Sequence, residues 1–174
     1  MTVQQFDEKQ QPLMISGLHI AINRNERTVT DDEGNTKYEY DVEAFDVEKE
    51  EDIDQEVEKH VLYLISEYDK SNKVNIFYLN GNPAWLDKDT RVGLELRFKA
   101  EKASGKTDTA LWLNGTDLTI NIDVGLQMLY ALEVYASAAY DCTAQHKANV
   151  LALNTAKEKA EYDYTTDYPK TLRL

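Results

Sequence analysis

Apolar positions recur along this chain at two spacings, and the spacing changes near residue 50. Tyr38, Tyr40, Val42 and Ala44 alternate with Lys37, Glu39, Asp41 and Glu43. A period of two predicts a half-exposed strand, because successive side chains of an extended chain point to opposite faces. Leu13 to Ile22 is an earlier apolar run and predicts the strand on which this one folds back. Between them, Asp31-Asp32-Glu33-Gly34-Asn35 supplies turn chemistry. From Glu50 to Tyr68 the rhythm becomes helical. Ile53, Val57, Val61, Leu64 and Tyr68 recur at three and four, with acids crowding the first turns, where a helix dipole favours them.

Further along, Asn-Gly occurs twice between apolar runs. Val74-Asn-Ile-Phe-Tyr-Leu79 meets Asn80-Gly81, and Ala110-Leu-Trp-Leu113 meets Asn114-Gly115. Both residues of a tight hairpin turn must accept positive φ, so each Asn-Gly predicts a hairpin. Thr90 to Ser104 lies between them and is ambiguous. Val92, Leu94, Leu96 and Phe98 alternate like a strand, yet the composition is helix-forming, Glu95 and Lys99 pair at i,i+4, and Gly105 suits a helix end. The segment reads as a helix. Asp123 is expected to cap a long helix reaching about Leu153, ~45 Å at ~1.5 Å per residue. Its stripe is Met128, Leu132, Tyr135, Ala139, Cys142, His146 and Leu153. Thr155-Ala-Lys-Glu158 matches a capping box and predicts a short final helix, and Tyr168-Pro169 is expected to end regular structure.

The fold class expected from these elements is α+β: an acidic strand/helix N-terminal part, two Asn-Gly β-hairpins and a long C-terminal helix. The expected division is a flexible tail at 1–12, an acidic β/α part at 13–70 and a hairpin-plus-helix domain at 71–174. Charge supports the first boundary of function. Of a net −13, the segment from Asp31 to Glu58 carries −12, with fourteen acids against Lys37 and Lys49. No basic surface is visible for phosphate backbones, so no nucleic-acid partner is expected. No run approaches the ~20 apolar residues of a membrane span, and no membrane partner is expected. A single Cys142 precludes an internal disulfide, and the N-terminus shows no Sec-type leader pattern.

Candidate chemistry is sparse. Ser104-Gly105-Lys106-Thr107 has Ala100 where a P-loop needs glycine. The acidic stretch has Thr36 or Val57 where a calcium loop needs its sharp-turn glycine. Cys142 and His146 lie four apart but lack two further ligands, and as a nucleophile and base they lack an orienting group. Glycosidase carboxylates cannot be singled out among so many acids. Eleven tyrosines suit cores and interfaces, though they could stack on sugars. The sequon Asn114-Gly-Thr116 is better explained as a turn. No catalytic, cofactor-binding or metal residue is assigned, and no enzyme is expected.

A scattered pattern covers roughly 100 residues from Tyr68 onward. It runs Tyr68-Asp69 and Ser71 before Val74-Asn75, then Trp85-Leu86-Asp87 and Arg91, then Ala100-Glu101-Lys102, Gly105 and Leu111-Trp-Leu. It continues with Met128-Leu129, Leu132-Glu133, Tyr135-Ala136, Tyr140-Asp141, His146, Leu153-Asn154-Thr155, Tyr162-Asp163 and Tyr168-Pro169. This resembles a family of phage and prophage proteins associated with tail fibres, whose C-terminal part resembles a domain shared with tail-fibre assembly proteins. The resemblance brings no catalytic residues. It implies a non-enzymatic structural or adaptor component of a bacteriophage tail, near the fibres or baseplate, made in the host cytoplasm and residing in the virion. The expected partners are other phage tail or fibre proteins, within a homo-oligomer or symmetric assembly. The alternatives are a tail-fibre assembly chaperone and a polysaccharide-acting enzyme. Interface candidates are Trp85, Trp112, Met128, Tyr135, Ala139 and Tyr168, the aromatics for their area and the helix stripe for its width.

Overall fold

The computed structural model describes residues 1–113 and 115–174. These described residues form an α+β fold with no barrel among them. It divides into two compact units, Met1–Ile65 with Gln145–Tyr164, and Ser66–Ala144 with Thr165–Leu174.

In the first unit, Thr2–Phe6 (β1), Leu13–Ser16 (β2), His19–Thr30 (β3) and Thr36–Asp46 (β4) form an antiparallel sheet in the order β1-β4-β3-β2. The β3–β4 pairing is the fold-back that the alternation predicts, with Thr28 opposite Tyr38 and Asn23 opposite Val42. Two expectations are corrected here. Residues 1–12 are not a free tail, because Thr2 to Phe6 pair with Val42 to Tyr38. Their side chains are mostly exposed, so backbone bonding to a sheet edge orders them, and apolar spacing carries no trace of that. The run from Leu13 to Ile22 is not one strand either. Gly17-Leu18 turns it into a hairpin, with Ser16 opposite His19. A 3-10 turn, Glu50–Asp52, leads into helix α1, Ile53–Lys70, which buries Val57, Val61, Leu64 and Ile65.

The second unit starts from the hairpin Phe77–Leu79 (β5) and Asn82–Ala84 (β6). Asn80 (φ 50°) and Gly81 (φ 81°) make its two-residue turn, the positive-φ pair that Asn-Gly favours. Helix α2, Lys88–Ala103, settles the ambiguous segment as helix, with Asp87 accepting from the Thr90 amide at its N-terminus. Asp108–Leu113 (β7) and Thr116–Asn121 (β8) form the second hairpin. Gly115 has φ 77°, and the expected turn partner Asn114 lies outside the described residues.

Helix α3, Ile122–Ala152, follows at once. Its cap is Asn121 and not Asp123, since Asn121 Oδ1 accepts from the amides of Asp123 (3.0 Å) and Val124 (3.4 Å). Asp123 instead pairs with Lys102. Regular structure also resumes after Tyr168-Pro169. Leu172–Arg173 (β9) adds a parallel strand to β5, opposite Phe77 and Tyr78. Phe77, Phe98, Leu111, Ile122 and Leu132 are the fully buried centre of this unit.

Back in the first unit, the capping box forms. Thr155 accepts from the Glu158 amide and Glu158 reaches back to the Thr155 amide, starting helix α4, Ala156–Glu161. Side chains of α1 hold α4 in place. Asp54 accepts from the Ala156 amide at 2.8 Å, and the buried Lys159 donates to Glu58 at 2.6 Å.

Candidate functional site

A cleft of about 420 Å³ opens in the second unit. The last turn of α1 supplies Asp69 and the following segment Asn75. The β6–α2 connection supplies Trp85, Asp87 and Lys88, α2 supplies Arg91, and α3 supplies Glu133, Ala136, Ser137, Ala139, Tyr140 and Asp141. Asp69, Asn75, Trp85, Asp87, Arg91, Glu133, Ala136, Tyr140 and Asp141 all belong to the scattered sequence pattern described above. The first and last of these, Asp69 and Asp141, are 72 positions apart in the chain, so only the fold shows that they meet.

Several of these groups are already engaged. The buried Arg91 donates to Leu86 O at 2.7 Å and to Glu133 Oε2 at 2.9 Å, with its guanidinium 5.7 Å from the Trp85 ring centre. Trp85 meets Tyr135 edge-on at 6.4 Å. Asp69 accepts from the Thr143 hydroxyl, which also bonds the Tyr168 hydroxyl. Amide donation, chiefly from Thr90, holds the Asp87 carboxyl below its ordinary pKa. Asn75, Lys88, Ser137, Tyr140 and Asp141 face the cleft, and among the described residues their side chains have no hydrogen-bond or ion-pair partner. The walls carry four carboxylates against two cations.

The six interface candidates separate sharply. Trp85 is half-buried beside the cleft, and Trp112 projects from β7 with 64% of its surface exposed. Tyr168 is half-buried against Tyr68 and Thr143. Met128, Tyr135 and Ala139 are buried within the second unit, so their stripe is not an open surface. Tyr135 even donates its hydroxyl to Val74 O at 3.0 Å, and burial raises its pKa. The stripe is covered by its own chain because the hairpins and α2 return onto it.

What α3 does expose is a different face. Tyr130 and Val134, one turn apart, are exposed, as are Val92 and Leu96, one turn apart on α2. The contacts Arg91–Glu133 and Lys102–Asp123 run in opposite order along the two helices, so these pack antiparallel. Lys99, three residues from Leu96, lies 5.9 Å from the Tyr130 ring centre and joins the two exposed strips. Leu96 is 65% exposed and Val134 72%.

The remaining candidates have ordinary environments. Cys142 Sγ approaches Thr166 O at 3.7 Å, and burial, then Asp167, raises its pKa. His146 is buried and bonds the Tyr162 hydroxyl at 2.8 Å. Among the described residues no three His, Cys, Asp or Glu side chains are grouped to hold a metal ion, and no helix is long and apolar enough to cross a membrane. Ser104 and Gly105 close the C-terminal end of α2, with the Gly105 amide bonding Lys102 O. No family model matches the chain, and neither a curated protein nor a solved structure matches it.

Proposed function

We propose that this chain is a non-enzymatic structural or adaptor component of a bacteriophage tail, near the fibres or baseplate, and that it works by protein–protein binding. The tail assignment rests on the sequence resemblance. The binding mode rests on the exposed apolar face formed by Val92, Leu96, Tyr130 and Val134. Apolar and aromatic side chains left in water at neighbouring positions of two packed helices favour burial against a partner. Unit 2 is close to neutral, because most of the −13 charge lies between Asp31 and Glu58 in unit 1. A partner reaching this face therefore meets little electrostatic repulsion. The occupant is another tail or fibre protein presenting an apolar surface of its own.

Mass spectrometry of purified particles tests the reading directly. The chain should be recovered in particles at a stoichiometry that survives washing. Recovery only from infected-cell lysate would assign it to transient assembly, as a chaperone. Absence from both fractions of phage-producing cells would overturn the tail assignment.

A further inference from the structure

We propose that the cleft between the β6–α2 connection and α3 is a binding site for a neutral saccharide. This inference does not rest on the tail assignment. Its first support is shape. About 420 Å³ falls within the range of roughly 300–1,000 Å³ typical of small-molecule sites. The small side chains Ala136, Ser137 and Ala139 leave that space open along α3.

The second support is the kind of wall. Trp85 and Tyr140 bring aromatic surface to the cleft, suited to the C–H faces of a pyranose ring. Trp85 is fixed, with Tyr135 at its edge and Arg91 beside it, so it is rigid before any ligand arrives.

The third support is the pattern of free donors and acceptors. Lys88 offers only donors, Asp141 only acceptors, and Asn75, Ser137 and Tyr140 offer both. Sugar hydroxyls donate and accept at once, so they match a mixed set. A lysine or arginine side chain of a partner protein needs acceptors alone, and three of the four carboxylates already accept from Thr143, Thr90 and Arg91. Four carboxylates against Lys88 and Arg91 also leave the walls negative, which disfavours sialic or uronic acids.

The test is a titration of the full ¹⁵N-labelled chain followed by NMR. The probes are neutral oligosaccharides of glucose, galactose, mannose, rhamnose and N-acetylhexosamines, each raised to about 10 mM, with a sialylated oligosaccharide and a lysine-rich peptide as contrasts. The indole N–H of Trp85 should shift saturably with at least one neutral probe, while that of the exposed Trp112 stays in place as an internal reference. Tyr140→Ala and Asp141→Ala change exposed side chains and should keep the melting temperature. Each should weaken binding about tenfold or more. No shift of Trp85 with any neutral probe would overturn the proposal. So would a shift that survives both substitutions, or one produced by the lysine-rich peptide alone.

Discussion

Gly125 shows what a single missing carbon can do in this protein. It sits in the first turns of α3, and a Cβ there would stand 2.7 Å from Phe98 Cε2. Phe98 is fully buried, so its ring can move only by displacing the core around it. Alanine would gain roughly 1 kcal/mol of helix propensity over glycine. Overpacking a tight core costs about 1–3 kcal/mol, and a contact this short lies toward the upper end. Gly125→Ala should therefore lower stability in urea unfolding, and adding Phe98→Leu should recover part of the loss. A gain in stability from Gly125→Ala alone would show that the ring yields. Nothing in the sequence marks Gly125, because its reason lies in a side chain 27 residues away.

At the scale of elements, α4 is the clearest case of local signal agreeing with tertiary support. The Thr155 hydroxyl, followed by the Thr155 and Asn154 amides, donates to the Glu158 carboxylate and holds its pKa below the ordinary 4.5. A depressed pKa in the folded state means stabilisation that is complete above the unfolded value. It fades as pH falls through the folded one. Glu158→Ala should lower the melting temperature at pH 7, and the gap to wild type should narrow by about pH 3. An equal gap at both pH values would remove the carboxylate charge from the account. The box itself was legible as Thr-x-x-Glu. The Asp54 and Lys159–Glu58 contacts that seat α4 on α1 were not, since about a hundred residues separate the partners.

For the whole molecule, adjacent residues of α3 separate a test of folding from a test of the proposed binding face. Tyr135 is buried and Val134 is exposed. Tyr135→Glu would put an unpaired charge into the core of the second unit, a loss on the order of 4 kcal/mol. Val134→Glu changes only the exposed face and should leave the melting temperature within a few degrees. If that face is the partner surface, Val134→Glu should stay folded yet disappear from purified particles. Full incorporation of the Val134→Glu chain would move the interface elsewhere, with the exposed Trp112 the next candidate. Met128, Tyr135 and Ala139, expected as an interface stripe, are buried within the second unit, and it is the side of the same helix carrying Tyr130 and Val134 that is exposed. Spacing identified an apolar stripe, but the sequence does not say whether the chain itself covers that stripe.

Short-range physics was decisive for much of this chain. Alternation determined β4, three-and-four spacing determined α1 and the long α3, Asn80-Gly81 determined its hairpin, and Thr155 with Glu158 determined the start of α4. Each of these depends on neighbours a few residues apart, so one stretch of sequence holds all the information. The tertiary structure decided what depends on distant partners. It ordered β1 through the edge of β4 and added β9 to β5. It buried the Met128–Tyr135–Ala139 stripe and left Val92, Leu96, Tyr130 and Val134 in solvent. The cleft belongs with these, because Asp69, Trp85, Arg91, Glu133 and Asp141 have no common spacing. They share a wall because the end of α1, the β6–α2 connection and α2 all pack against α3, and that packing comes from burial summed over the whole second unit.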